Sequence, residues 1–224
     1  MPHPSQDIRG SLGSELAGKK IVLALSGSVA VVQSVELARL LIRHGAEVFP
    51  VMSQQATRLI GPELLEWATG QPPIVELTGK IEHVALVGNV PQPADLLLIA
   101  PATANTIGKM AAGIDDTPVT TFFTTAFGEG VPVLVVPAMH LSMYRHPFVK
   151  ENIEKLEKWG VSVVMPRFSE GKAKIADSET ILASVMDRLF KRRDFEGKTV
   201  LVTAGRTVEF LDPVRTISNN STGR

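Results

Sequence analysis

The run Asp95-Leu96-Leu97-Leu98-Ile99-Ala100, followed at once by Pro101-Ala102-Thr103-Ala104-Asn105-Thr106, constrains this chain more than any other stretch. Apolar residues without alternation suit a strand covered on both faces, the condition of a central strand in a parallel sheet. Pro101 has no N–H to give to a ladder, so the strand is expected to stop there, with a helix opening near Ala104. Thr103, Asn105 and Thr106 then hang over the carboxyl edge, where open α/β sheets bind ligands.

The rest of the chain repeats the pattern. Residues 20–26 read as a buried strand, Gly27-Ser28 as a turn, and Val32, Val35, Ala38, Leu41 and Ile42 as the apolar stripe of a helix ending at Gly45. A strand at 46–52 and helical residues 53–69, interrupted at Gly61-Pro62, follow. Residues 70–94, rich in Gly and Pro, read as a long surface connection that contains His83. Beyond the 95–100 strand come helices near 104–112 and 117–127, then the strand 131–136 ended by Pro137. A helix near 147–159 is expected to bury Phe148, Leu156 and Trp159, and a strand at 161–165, a polar loop at 166–177 and a last helix at 178–192 complete the series. Alternating strands and helices predict an α/β fold with a doubly wound, mainly parallel sheet and right-handed crossovers.

Charge and composition exclude other classes. Lys plus Arg and Asp plus Glu both number 23, so no net charge draws the chain to nucleic acid or to an anionic membrane. No apolar run reaches membrane-spanning length. Cysteine is absent, which rules out disulfides, thiolate metal sites and a cysteine nucleophile; it also accords with a reducing cytoplasm. No metal site is expected. Residues 1–18 are mixed and polar and read as a disordered arm.

Ser26-Gly27-Ser28 at a helix start offers N–H groups and hydroxyls that suit a phosphate, although glycine and serine also serve such turns for steric reasons. The spaced glycine triplet of dinucleotide folds is missing, and the second strand ends in Val51-Met52-Ser53 with no acid for a ribose. A mononucleotide fits better. Gly197-Lys198-Thr199 resembles the end of a P-loop, but Arg192 stands where the leading glycine belongs. Pro137-Ala138-Met139-His140-Leu141-Ser142-Met143-Tyr144 also follows a strand and can form a second pocket wall, while the spacing of Met139, Met143 and Tyr144 suits core or subunit packing equally.

Together these residues resemble the homo-oligomeric flavin-containing cysteine decarboxylases, at the phosphopantothenoylcysteine decarboxylase branch that forms the N-terminal half of a bifunctional enzyme of coenzyme A biosynthesis. The likeness covers 19–190 and rests on Ser26-Gly27-Ser28, His83-Val84-Ala85-Leu86, the Pro101 to Thr106 hexapeptide with Lys109, and Pro137-Ala138-Met139. A second likeness, over 198–224, is to the opening of the phosphopantothenate-cysteine ligase half, implying a short stub without ligase activity, reached through a linker at 191–197. The resemblance implies a Rossmann-like or flavodoxin-like three-layer sandwich that binds FMN and decarboxylates phosphopantothenoylcysteine. Oxidation to a thioaldehyde, loss of carbon dioxide and re-reduction of the ene-thiol would give the saturated thiol. It assigns proton handling to His83 and FMN contacts to Ser26, Gly27, Ser28, Ser53, Pro101, Ala102, Thr103, Asn105, Thr106, Ala138 and Met139. Asn105, His140, Met143, Lys172 and Lys174 would meet the substrate. The assembly implied is a cytoplasmic trimer or dodecamer, in which His83 can serve a neighbour's cofactor.

Three departures stand out. His140 replaces the asparagine usual after Pro-Ala-Met, the connection after His83 is longer, and the flap cysteine of bacterial relatives is missing. Lys172, Lys174, Glu170 or water then supplies the final proton, or the reaction halts at the ene-thiol. Two alternatives remain: a flavin-binding regulatory or structural subunit without turnover, and a nicotinamide dehydrogenase, which would be colourless.

Overall fold

The computed structural model describes residues 3–190 and 198–220, and the expected 191–197 linker lies outside the described residues. Two compact units divide the chain, Met1–Lys191 and Arg192–Arg224. In the first, chain order runs α1 (Pro4–Asp7), β1 (Lys20–Leu25), a 3-10 turn (Val29–Gln33), α2 (Ser34–Arg43), β2 (Glu47–Met52), α3 (Gln54–Thr57), α4 (Pro62–Thr69) and α5 (Glu82–Val87). There follow β3 (Leu96–Ala102), α6 (Ala104–Ala112), α7 (Pro118–Gly128), β4 (Val133–Pro137), β5 (Met139–His140), α8 (Leu141–Tyr144) and α9 (Pro147–Lys158). The last elements are β6 (Ser162–Val163), β7 (Arg167–Ser169), β8 (Lys172–Lys174) and α10 (Ser178–Phe190).

Five parallel strands in the order β2-β1-β3-β4-β6 form the central sheet. The absence of alternation in the sequence has a direct cause: successive side chains point to opposite faces, and both faces are covered. Ile21, Leu23 and Leu25 of β1 and Leu96 and Leu98 of β3 join one core with Leu37 and Leu41 of α2 and Ile181 and Val185 of α10. Val22, Ala24, Leu97 and Ile99 join the other, with Ile107 of α6, Phe122 of α7 and Leu156 of α9. Each large aliphatic side chain so buried contributes about 1.5–3 kcal/mol relative to exposure. The result is the predicted doubly wound three-layer sandwich. The chain leaves β1 for β2 on one side and reaches β3 on the other, so the topological switch point falls between the carboxyl ends of β1 and β3.

Several expectations are corrected. Residues 3–18 are packed rather than a free arm: Leu16 and Ser5 are buried. Gly10 N–H donates to the Ile42 carbonyl (3.1 Å), Leu12 and Gly13 to Arg43 (3.0 and 3.2 Å), and Leu16 to His44 (2.9 Å). The segment thus satisfies the carbonyls left open at the end of α2, work done by backbone and invisible in side-chain polarity. The helix expected from Val32 begins at Ser34, and Val32 stands exposed on the 3-10 turn. Pro101 lies inside β3, one residue short of its end, the Ala100–Pro101 peptide being cis, whereas Pro137 ends β4 as expected. Phe148 and Trp159 are exposed; Ile153 and Leu156 are the buried face of α9. The 166–177 segment expected as a loop carries β7 and β8, which join β5 in a small antiparallel sheet.

The second unit, expected as the opening of a further domain over 198–224, contains an antiparallel hairpin of β9 (Val208–Phe210) and β10 (Thr216–Ser218). Asp212 accepts from the N–H groups of Val214 (2.9 Å) and Arg215 (2.7 Å) at its turn. No helix among the described residues is long and apolar enough to cross a membrane.

Candidate active site

The switch point is fastened by Ser26. Its hydroxyl donates to the Pro101 carbonyl (2.8 Å) and accepts from the Thr103 N–H (2.9 Å), and its own N–H donates to Pro101 (3.1 Å). Ser26 is 2% exposed, and Pro101 and Ala102 are buried in β3, so these three predicted cofactor residues act from beneath the edge and not at its surface. Gly27 is required by close packing: a Cβ there would fall 2.3 Å from the Gln55 Cβ. Around this floor hydroxyls cap the turns. Ser53 accepts from Ala56 N–H (3.2 Å), Thr103 from Thr106 N–H (3.2 Å), and Thr117 from Thr120 N–H (3.2 Å), opening α3, α6 and α7.

Two cavities occupy the carboxyl edge. The larger, about 520 Å³, gathers Gly27, Ser53, Thr103, Asn105, Thr106 and Met143 of the predicted set. The smaller, about 370 Å³, gathers Ser28, Ala138, Met139, His140, Lys172 and Lys174. The sequence reading did not single out Gln54, Gln55, Asp116, Thr117 and Pro118 as further walls of the larger cavity. One signal was available: Thr117-Pro118 with Thr120 forms a capping box at the start of α7. Lys109 also lines this cavity and donates to both oxygens of Asp116 (2.9 and 2.6 Å), so its charge is matched in place. An anion there would meet hydroxyls and N–H groups at helix starts in preference to a free cation.

His83 lines neither cavity. It lies on α5, a helix inside the segment expected to be irregular, with its ring edge-on to Phe122 at 6.5 Å between centroids. Its Nδ1 is buried without a hydrogen-bond partner. The start of α5 is held by Glu82, whose carboxylate accepts from the Thr78 hydroxyl and from the Thr78 N–H (3.0 Å). These bonds, the hydroxyl foremost, pull the Glu82 carboxyl down to about 2. Over the smaller cavity, His140 pairs with Lys172 and Met139 with Ala173 across β5 and β8. Lys174 donates to Glu170 (2.6 Å) and, by that bond first and its charge second, lowers the Glu170 carboxyl. Tyr144 packs edge-on against Phe168 of β7 at 5.3 Å; burial chiefly, then the charge of Glu157, raises its hydroxyl. Among the described residues no group of three or more His, Asp or Glu side chains is placed to hold a metal ion.

A flavodoxin-like sheet whose switch point opens on a mononucleotide-sized cleft defines the class: an α/β cofactor-binding protein. The chain belongs to the flavoprotein family, whose model matches residues 9–190, and residues 195–224 match the DNA/pantothenate metabolism flavoprotein C-terminal domain. It is 56% identical over 224 residues to the coenzyme A biosynthesis bifunctional protein CoaBC of Thermococcus kodakarensis, covering 100% of this chain and 55% of that protein. Identity to the CoaBC of Methanocaldococcus jannaschii is 40% over 223 residues, covering 99% and 54%. The chain therefore spans about half the length of these curated relatives. Among solved structures, the FMN-dependent cysteine decarboxylase SpaF superposes with TM-score 0.68 at 28% identity, covering 79% of this chain and 98% of that one. A PPC decarboxylase mutant complexed with pantothenoylaminoethenethiol gives TM-score 0.63 at 26% identity, covering 75% and 96%.

Proposed function

We propose that this chain carries out the FMN-dependent decarboxylation of 4′-phosphopantothenoylcysteine to 4′-phosphopantetheine in coenzyme A biosynthesis, as a cytoplasmic homo-oligomer, a trimer or dodecamer. The observation that carries this reading is the larger cavity, which is lined by the residues that cap α3, α6 and α7, by Asn105 and by the apolar Met143. That donor set fits a phosphate at one end and a planar, partly polar ring at the other. The reading concerns residues 9–190, the span of the flavoprotein match.

The Gly27-Ser28 turn, Ser53 and Thr103 would hold the phosphate and ribityl oxygens of FMN. Asn105 and Thr106 would face ring or substrate, with Ala138 and Met139, which line the smaller cavity, as apolar wall where the flavin extends towards it. Bound FMN supplies reversible two-electron oxidation of the CH2–SH carbon, which gives the electrons of the departing carboxylate a conjugated destination. Ser26 keeps the ends of β1 and β3 in register beneath it. His83 would handle the proton through Nε2, since Nδ1 is shut away and unpartnered. Because His83 lines neither cavity of its own subunit, it is assigned to the cleft of a neighbour.

The protein is expected to be yellow as purified and, given substrate, to yield a product lighter by carbon dioxide alone. Loss of carbon dioxide plus two hydrogens would mean that turnover halts at the ene-thiol. Bound flavin with unchanged substrate would replace the enzyme reading with that of a flavin-binding subunit.

A further inference from the structure

We propose that the outer face of α2 and α4 docks a second copy of this chain about a two-fold axis, with Arg39 of each copy set against Glu63 and Glu66 of the other. The contact stands on its own residues; only its role in joining rings of subunits rests on the reading above, in which His83 serves a neighbour.

Arg39 is the side chain that calls for a partner. Its guanidinium lies over the Trp67 ring, 4.6 Å from the centroid, and its Nη1 is buried without a hydrogen-bond partner. An N–H group withdrawn from water and left unpaired costs stability, and the cost is greater on a cation. The neighbouring acid on α2 does not relieve it, because Glu36 is engaged by Arg43 at 3.0 Å. Nor does α4, although Arg39 lies against it: Glu63 and Glu66 are exposed there and form no ion pair among the described residues.

The surroundings of Arg39 say what kind of partner fits. α4 buries Leu65, Ala68 and Thr69, yet Leu64 and Trp67, one turn apart, are still 44% and 47% exposed, so the helix also presents apolar surface outward. A tryptophan stacked on an arginine is the pairing that anchors interfaces once water is excluded. This patch carries an unpaired cation and unpaired acids around an apolar centre, which makes it complementary to itself. A half-turn of one copy over another lays each sign on its opposite, the arrangement of an isologous contact. Charge complementarity thus selects a second copy as the occupant. The face is also free to be used: α2 and α4 pack on one core, while α5 and α7, which hold His83, pack on the other. Ring closure through His83 and a two-fold contact through Arg39 are therefore made together, giving an even number of subunits. A trimer alone leaves this face uncovered, and a dodecamer covers it.

The test is the mass in solution of the flavin-loaded full chain, read by light scattering. Wild type is expected to contain an even number of subunits. Glu63→Lys with Glu66→Lys, both at exposed positions, sets like charges against Arg39 and is expected to cut the mass by about twofold or more at unchanged flavin content. Arg39→Glu is expected to do the same, and joining all three substitutions, which exchanges the two signs, to restore the wild-type mass. A wild-type trimer or monomer overturns the proposal and leaves the face to another macromolecule or to water. An unchanged mass in the Glu63, Glu66 variant overturns it as well. So does a triple variant that stays small, because the effect of Arg39→Glu is then lost packing on Trp67 and not a lost ion pair. Failure of the ring is read separately: a wild-type dimer that falls to monomers on charge reversal keeps the α2–α4 contact and removes the closure through His83. Absence of carbon dioxide release from a correctly sized assembly counts against the decarboxylase reading and leaves the contact standing.

Discussion

At the scale of single residues, the Ser26-Gly27-Ser28 turn shows how one motif divides its labour. The sequence marks all three for a ligand, yet Ser26 spends its hydroxyl on the Pro101 carbonyl and the Thr103 N–H, and Gly27 is demanded by Gln55. Ser26→Ala leaves the Thr103 N–H without its acceptor and the Pro101 carbonyl with the Ser26 N–H alone, and is expected to cost about 1–3 kcal/mol, measured as a shift in urea midpoint at unchanged slope. Ser28→Ala removes a partly exposed cap and is expected to cost about 1 kcal/mol or less in the same measurement. Gly27→Ala forces the turn away from α3, so the variant should purify with far less flavin. The clash is with a Cβ, so Gln55→Ala leaves it in place and only Gln55→Gly makes room. Recovery of flavin content in the Gly27→Ala, Gln55→Gly pair, measured by absorbance, separates this packing account from a direct role for Gly27 at the phosphate.

At the scale of elements, legibility followed burial. β1, β3 and β4 were readable because both faces are covered and the sequence carries unbroken apolar runs, and α6 because Thr103 and Gly113 bracket it. β7 and β8 are three residues each with mostly polar, exposed side chains, so no period distinguishes them from a loop. α5 is six residues long, entered from Ile81 at φ 49°, and too short to show a helical repeat. It depends instead on Glu82, and that makes it acid-sensitive. The Glu82 carboxyl stands near 2 in the folded protein against an ordinary 4.5, so its contribution is complete above 4.5 and is lost as pH falls from there towards 2. Amide exchange of α5 should therefore speed up across that window while the β1 and β3 amides stay protected. Glu82→Gln should exchange at a rate independent of pH-linked loosening, after correction for intrinsic chemistry, and a wild-type profile in that variant would discard Glu82 as the holding group.

At the scale of the molecule, sheet order decides where the site is, and the position of His83 decides what one chain can do alone. The strand order β2-β1-β3-β4-β6 brings the residues after β1 and β3 to one crevice, which is why connections distant in sequence were recognisable as parts of a single cleft. His83 belongs to no part of that crevice, since α5 packs its ring on Phe122 in the middle of α7. A histidine that handles the proton from there must reach the cleft of another copy, and closed symmetric assembly lets every cleft receive one. Subunit mixing tests this. His83→Asn should abolish decarboxylation while retaining flavin, and Asn105→Ala should abolish it from within the cleft. In oligomers assembled at random from equal amounts of the two variants, an intact site needs the cleft of a His83→Asn subunit beside the histidine of an Asn105→Ala subunit. That combination arises at about a quarter of the sites, so carbon dioxide release should return to about a quarter of the wild-type rate. If His83 serves its own subunit, each chain in the mixture carries a lesion in its own site, and the mixed oligomers stay inactive.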